Sequence, residues 1–115
     1  MATLNKCNSV DDSALTRKIL REMAERYQIP KTRTLSAFDD ATGNYILMDE
    51  GWQGYKRVYH VWAHIELNQG KFYIHEDGTE EGIANLLLHE GVPKERIVLA
   101  MDAPNLRTDS GFAPA

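Results

Sequence analysis

Apolar residues recur at helical spacing near the start of the chain and at strand spacing through most of the remainder. Leu15, Ile19, Met23 and Tyr27 fall at intervals of four, with Leu20 and Ala24 beside them, which makes one apolar helix face. Ser9 is placed to cap this helix, with Asp11 and Asp12 in its first turn, and Pro30 forces Ile29 out of helical conformation at the other end. Arg17, Lys18, Arg21, Glu22, Glu25 and Arg26 form the solvated face. Residues 32–38 alternate weakly after the proline and predict an edge strand. A turn at 39–43 leads into a second strand over 44–48, so the two form an antiparallel hairpin. Gly51-Trp52-Gln53-Gly54 reads as a loop. The longest strand candidate is 57–67. Strict alternation puts Tyr59, Val61, Ala63, Ile65 and Leu67 on one of its faces and Val58, His60, Trp62, His64 and Glu66 on the other.

The pattern also sets a register. With Gln69-Gly70 as a two-residue turn, Leu67 faces Phe72 and Ile65 faces Ile74, so the apolar faces coincide. The same register puts Glu66 opposite Tyr73, His64 opposite His75 and Trp62 opposite Asp77. Residues 70–101 then read as strand, loop, helix, turn and strand. Asp77-Gly78 breaks the strand, Thr79 is a candidate N-cap, and Glu80 and Glu81 would suit the positive end of the helix dipole. Ile83, Leu86 and Leu87 make the apolar stripe; Gly91, Val92 and Pro93 end the helix. Ile97, Val98 and Leu99 predict a short strand buried on both faces. In the tail, 102–115, one helical turn is expected over 105–108, and Phe112 is a candidate anchor.

The expected architecture is therefore α+β: a mainly antiparallel sheet of about five strands, an N-terminal helix, and a second helix between the last two strands. At 115 residues, 43% apolar and 26% charged, the chain suits one globular domain over 1–115, with 1–8 expected to be flexible. The longest apolar run is too short to span a membrane, and no signal-peptide core is visible, so a cytoplasmic location is expected. Cys7 is the only cysteine, which rules out an internal disulfide or a cysteine-based metal cluster. A net charge of -4 argues against non-specific nucleic-acid binding, though not against a local basic patch.

His60, His64 and His75, with Glu66 or Asp77 nearby, form the one constellation suited to a metal or to acid–base chemistry. Their spacing matches no established metal motif, so neither a metal nor another cofactor is expected. No Walker loop, GxGxxG fingerprint or nucleophile elbow is present. Gly78-Thr79 at a helix start is hemmed in by acidic residues, which favours capping over anion binding. A face carrying Trp62, Tyr73, His64 and His75 suits a protein interface, covered by a partner or by a second copy of the chain.

Particular residues go further than the pattern. Gly51-Trp52, Arg57, His64-Ile65-Glu66, Gly70-Lys71, Asp77-Gly78-Thr79-Glu80, Gly82-Ile83-Ala84, Gly91-Val92-Pro93-Lys94, Ile97-Val98-Leu99, Pro104, Arg107, Phe112-Ala113 and Ala115 together resemble the XisI family of cyanobacterial controlling factors for excision of the fdxN element. The resemblance covers nearly the whole chain and is densest from Tyr45 onward. It implies a small α+β accessory protein for site-specific DNA excision, with a separately encoded recombinase and an XisH-type companion. It carries over no catalytic residue. The matched positions with the strongest claim to a shared role are Trp52, Arg57, His64, Asp77, Thr79, Glu80 and Arg107. Tyr59-His60 and Ala100-Met101 depart from the family pattern, which makes His60 and His75 peculiar to this chain. A non-enzymatic factor working through protein contacts leads. A DNA-contacting regulator using Lys56, Arg57 and Arg107 is the alternative, followed by a histidine-based enzyme.

Overall fold

The computed structural model of the chain describes residues 10–115. The expected Ser9 cap, Cys7 and the segment 1–8 lie outside them. Helix α1 runs Val10–Arg26, followed by strands β1 Thr32–Asp39, β2 Asn44–Gln53, β3 Lys56–Asn68 and β4 Lys71–Asp77. Helix α2 spans Ile83–His89, a 3-10 turn Lys94–Arg96 leads into β5 Ile97–Leu99, and a one-turn helix α3 covers Pro104–Arg107. The sheet order is β1-β2-β3-β4-β5, with antiparallel neighbours except for the parallel β4–β5 pair, which α2 connects.

Both α1 and α2 lie on one side of this sheet. Ile19, Leu20 and Met23 of α1 and Ile83 and Leu87 of α2 share one core with Tyr45, Leu47, Ile65, Phe72 and Ile74 from alternate strand positions. Burial of these apolar side chains, at about 1.5–3 kcal/mol each, is the main force joining helices to sheet. Arg96 Nη2 donates to Asp12 Oδ2 at 2.5 Å and ties α1 to the segment before β5. Tyr45 is fully buried and its hydroxyl donates to Asp40 Oδ1 at 2.5 Å. That bond holds the Asp40 carboxyl below its ordinary pKa and, after burial, helps push the Tyr45 phenol up.

The turns depend on conformations that few residues adopt. Gln69 and Gly70 both have positive φ, 52° and 76°, the requirement of a type I′ hairpin turn. Of the expected loop at 51–54, residues 51–53 are instead strand. Gln53 pairs with Lys56, and Gly54 with Tyr55 makes the whole turn, so β2 and β3 form a long hairpin. Gly51 sits inside β2 because a Cβ there would lie 2.5 Å from Lys31 O and 2.8 Å from Thr32 Cα. At the end of α2, Gly91 (φ 94°) lets Val92 N–H reach Leu87 O at 3.0 Å while Gly91 N–H reaches Leu88 O at 3.0 Å. This is the paired closure expected of glycine followed by a buried apolar residue.

Two bulges correct the expected register. Leu47 pairs with Ala63 and Met48 with Val61, leaving Trp62 as an extra residue in β3. Leu67–Phe72, Glu66–Tyr73 and Ile65–Ile74 pair as the pattern predicts, but His64 then faces Glu76, so His75 is extra in β4 and Asp77 faces Ala63, not Trp62. The first bulge reverses the faces of β3 beyond it. Trp62, His60 and Val58 turn to the helix side, while Tyr59 and Val61 leave the Ala63–Ile65 face for the opposite one.

β5 is an edge strand whose Ile97 and Val98 are fully buried. The tail covers its free edge: Ala113 bridges Val98 in parallel and donates its N–H to Ile97 O at 2.8 Å. Phe112 packs against the core.

Candidate interaction surface

The sheet face away from the helices carries an apolar strip flanked by two polar clusters. Leu35, Ile46 and Met48 are half-buried, and Val61 is 40% exposed. The register places them side by side: Leu35 pairs with Met48, and Met48 with Val61. Four neighbouring aliphatic side chains left half in water are uncommon unless something covers them.

At the hairpin end of the strip, Trp52 and Tyr59 are 53% and 62% exposed. The Arg57 guanidinium lies over both rings, 5.3 Å from the Trp52 centroid and 5.1 Å from that of Tyr59. Arg57 Nη1 also donates to Glu50 Oε2 at 2.6 Å, and Arg33 Nε donates to Glu50 Oε1 at 2.7 Å. These two arginines, Arg33 first, hold the Glu50 carboxyl below its ordinary pKa. Tyr55, at the tip, is fully exposed.

At the other end lies the histidine pair. The rings of His64 and His75 stack with centroids 4.7 Å apart and planes 35° off parallel. The His75 bulge brings them together although their backbones are not register partners. His64 Nε2 hydrogen-bonds with Asn44 Oδ1 at 2.8 Å, and His75 Nε2 with Glu66 Oε1 at 2.7 Å. Burial lowers the His64 pKa, the neighbouring His75 lowers it further, and Glu66 opposes both. His60 is on the helix side, so the three-histidine convergence does not form. Among the described residues no group of three or more His, Cys, Asp or Glu is placed to hold a metal ion.

Of the residues expected at an interface, Trp52, Arg57, His64 and Tyr73 fall on this face, and Trp62 does not. Its ring is buried against α1, edge-on to Tyr27 with centroids 6.1 Å apart, and its Nε1–H donates to Asp49 Oδ1 at 3.0 Å. Asp77 ends β4, and Thr79 and Glu80 lie in the loop before α2, which begins only at Ile83 because Gly82, at φ 90°, is not helical. Thr79 is therefore not the N-cap, and Glu80 and Glu81 are not in the first turn. The Asp77 carboxylate fills the capping role: Oδ2 accepts the Ile83 N–H at 2.7 Å, and Oδ1 accepts the Thr79 N–H at 3.0 Å and its hydroxyl at 2.6 Å. Thr79 Oγ1 in turn accepts the Gly82 N–H at 3.0 Å. Glu81 pairs with Arg26 of α1. Arg107 donates to the carbonyls of Asp102 and Ala100, at 2.9 and 3.1 Å, and clasps the tail. Alternation along β3 gave no sign of Tyr55 or of the exposed position of Tyr59. Gly54 beside Tyr55 was the available signal, a two-residue turn in place of a longer loop.

A five-stranded sheet with helices on one side and an aromatic, apolar second side defines a small α+β protein with one sheet face left open by the described elements. The chain belongs to the XisI family: the family model, described as XisI protein, matches residues 5–114. It is similar to a XisI-like protein from Anabaena variabilis ATCC 29413, at 29% identity and a TM-score of 0.86, over 92% of this chain and 98% of that one. It is also similar to the fdxN element excision controlling factor XisI from the same organism, at 27% identity and a TM-score of 0.71, over 90% and 98% of the two chains. Among curated proteins no match is found. No helix among the described residues is long and apolar enough to cross a membrane.

Proposed function

We propose that this chain is a non-enzymatic controlling factor for site-specific excision of a DNA element, acting through protein contacts with an XisH-type companion in a complex with the recombinase. The half-exposed strip of Leu35, Ile46, Met48 and Val61, flanked by Trp52, Arg57 and Tyr59, is the observation that carries this reading. An apolar centre with aromatic and arginine side chains around it is the composition of a protein interface. Membership of the XisI family, and similarity to a protein named an excision controlling factor, supply the process. In the absence of the companion, the same face seats a second copy of the chain.

The alternative, direct contact with DNA, draws on Lys56, Arg57 and the exposed Tyr55 at the hairpin tip. The Arg57 charge, however, is shared with Glu50, and the Arg107 guanidinium is turned to backbone carbonyls. The deciding experiment is co-purification of the tagged chain with an XisH-type companion, without DNA, for wild type and for Val61→Asp. We expect wild type to retain the companion and the variant to lose it. Retention by the variant would remove the face from the reading. Salt-dependent binding of element-end DNA by the isolated chain would favour the alternative.

A further inference from the structure

A second feature lies on the opposite, helix side of the sheet. Asp49 of β2 is 3% exposed, and its Oδ1 accepts both the Trp62 Nε1–H at 3.0 Å and the Thr34 hydroxyl at 2.9 Å. Oδ2 accepts from no described residue. Asp49 lines a cavity of about 340 Å³ together with Arg26, Tyr27, Gln28, Ile29, His60, Trp62 and Gly78. A buried acceptor without a donor is costly. Arg26, the arginine of this lining, pairs its guanidinium with Glu81, and among the described residues no cation pairs with Asp49.

The walls suit a cation as well as the carboxylate does. Trp62 and Tyr27 are among those walls, and an aromatic ring attracts positive charge to its face. Gly78 has no side chain to intrude; a Cβ there would lie 3.0 Å from Trp62 O. A volume at the small end of ligand sites suits a side chain or a small metabolite better than a nucleotide cofactor. A guanidinium combines a flat surface for stacking with a fork of N–H donors for a carboxylate, which an ammonium does not.

We propose that this cavity is a binding site for a guanidinium group, supplied by an arginine side chain of a polypeptide or by a free alkylguanidine. The proposal is independent of the role of the open face. Trp62 reports on it directly in the Trp52→Phe variant, which alters only the far side of the sheet and leaves a single tryptophan. Titration with N-acetyl-arginine methylamide and with agmatine is expected to change Trp62 emission saturably, and to shift its indole N–H resonance in wild type. The neutral isostere N-acetyl-citrulline methylamide is expected to give no saturation. Asp49→Asn keeps an oxygen for Trp62 and Thr34 but removes the charge, and should weaken guanidine binding about tenfold or more. Tighter binding of the capped arginine assigns a polypeptide source; tighter binding of agmatine assigns a free one. Saturation by neither probe, equal binding of the citrulline compound, or full affinity in Asp49→Asn would overturn the proposal. Should Asp49→Asn fail to fold, the arginine and citrulline comparison on Trp52→Phe decides alone.

Discussion

His64 shows how one side chain's surroundings set its chemistry. Half-buried on the open face and stacked on His75, it has a lower pKa than a free imidazole, so the fold favours its neutral form. This fixes the sign of the pH effect. A histidine whose folded pKa is depressed adds no penalty above its unfolded value near 6.5, and stability is lost as pH falls below that and through the folded pKa. We expect an NMR titration to place His64 below about 6.5, and the fall in Tm between pH 7.5 and 5.5 to be smaller in His64→Gln than in wild type. An equal fall in both proteins would locate the acid sensitivity elsewhere. Gly51 is set by close approach rather than by charge. Because a Cβ would overlap the Lys31 carbonyl and Thr32 backbone, Gly51→Ala should cost about 1–3 kcal/mol in denaturant unfolding.

At the scale of elements, the start of α2 depends on a residue six positions earlier. Asp77 ends β4 and accepts the first N–H of the helix, while Thr79 braces the loop between them. Asp77→Ala removes acceptors for both the helix and the loop and should cost about 1–3 kcal/mol. Thr79→Ala, which leaves the Asp77–Ile83 bond in place, should cost about 1 kcal/mol or less. Equilibrium unfolding of the two variants checks this order, and a larger loss in Thr79→Ala would reverse the assignment. The end of the same helix was legible residue by residue, because Gly91-Val92-Pro93 is a local signal. Its start was not. Thr79 followed by two glutamates has the composition of a helix N-terminus, and only the positive φ of Gly82 moves the start to Ile83.

At the scale of the whole molecule, two surfaces of the sheet are managed differently. The β5 edge is closed by the tail, through the Ala113–Ile97 hydrogen bond and the packing of Phe112. The open face is not closed by any described element. Removing residues 111–115 should expose Ile97 and Val98 at a bare edge, which favours strand-to-strand association. Sedimentation velocity is expected to show larger species for the truncated chain than for the full one. Val61→Asp, on the open face, should instead leave unfolding stability within about 0.5 kcal/mol, because its side chain is already partly in water.

Local pattern was sufficient for the helix face from Leu15 to Tyr27, the Gln69-Gly70 hairpin, the pairing of Leu67 with Phe72 and of Ile65 with Ile74, and the Gly91 stop. Each depends on residues a few positions apart, and so does the alternation that separates core from surface in β2 and β4. What alternation cannot contain is a bulge. Trp62 turns to the helix side where Asp49, Tyr27 and Gly78 meet its ring and backbone, and those partners lie 13, 35 and 16 positions away. That single extra residue reverses the face of every β3 position before it. It separates His60 from His64, moves Tyr59 and Val61 onto the open surface, and buries the residue that composition marks as its aromatic anchor. The strands are a property of the sequence; which side of the sheet each side chain serves is decided by contacts that exist only once the chain is folded.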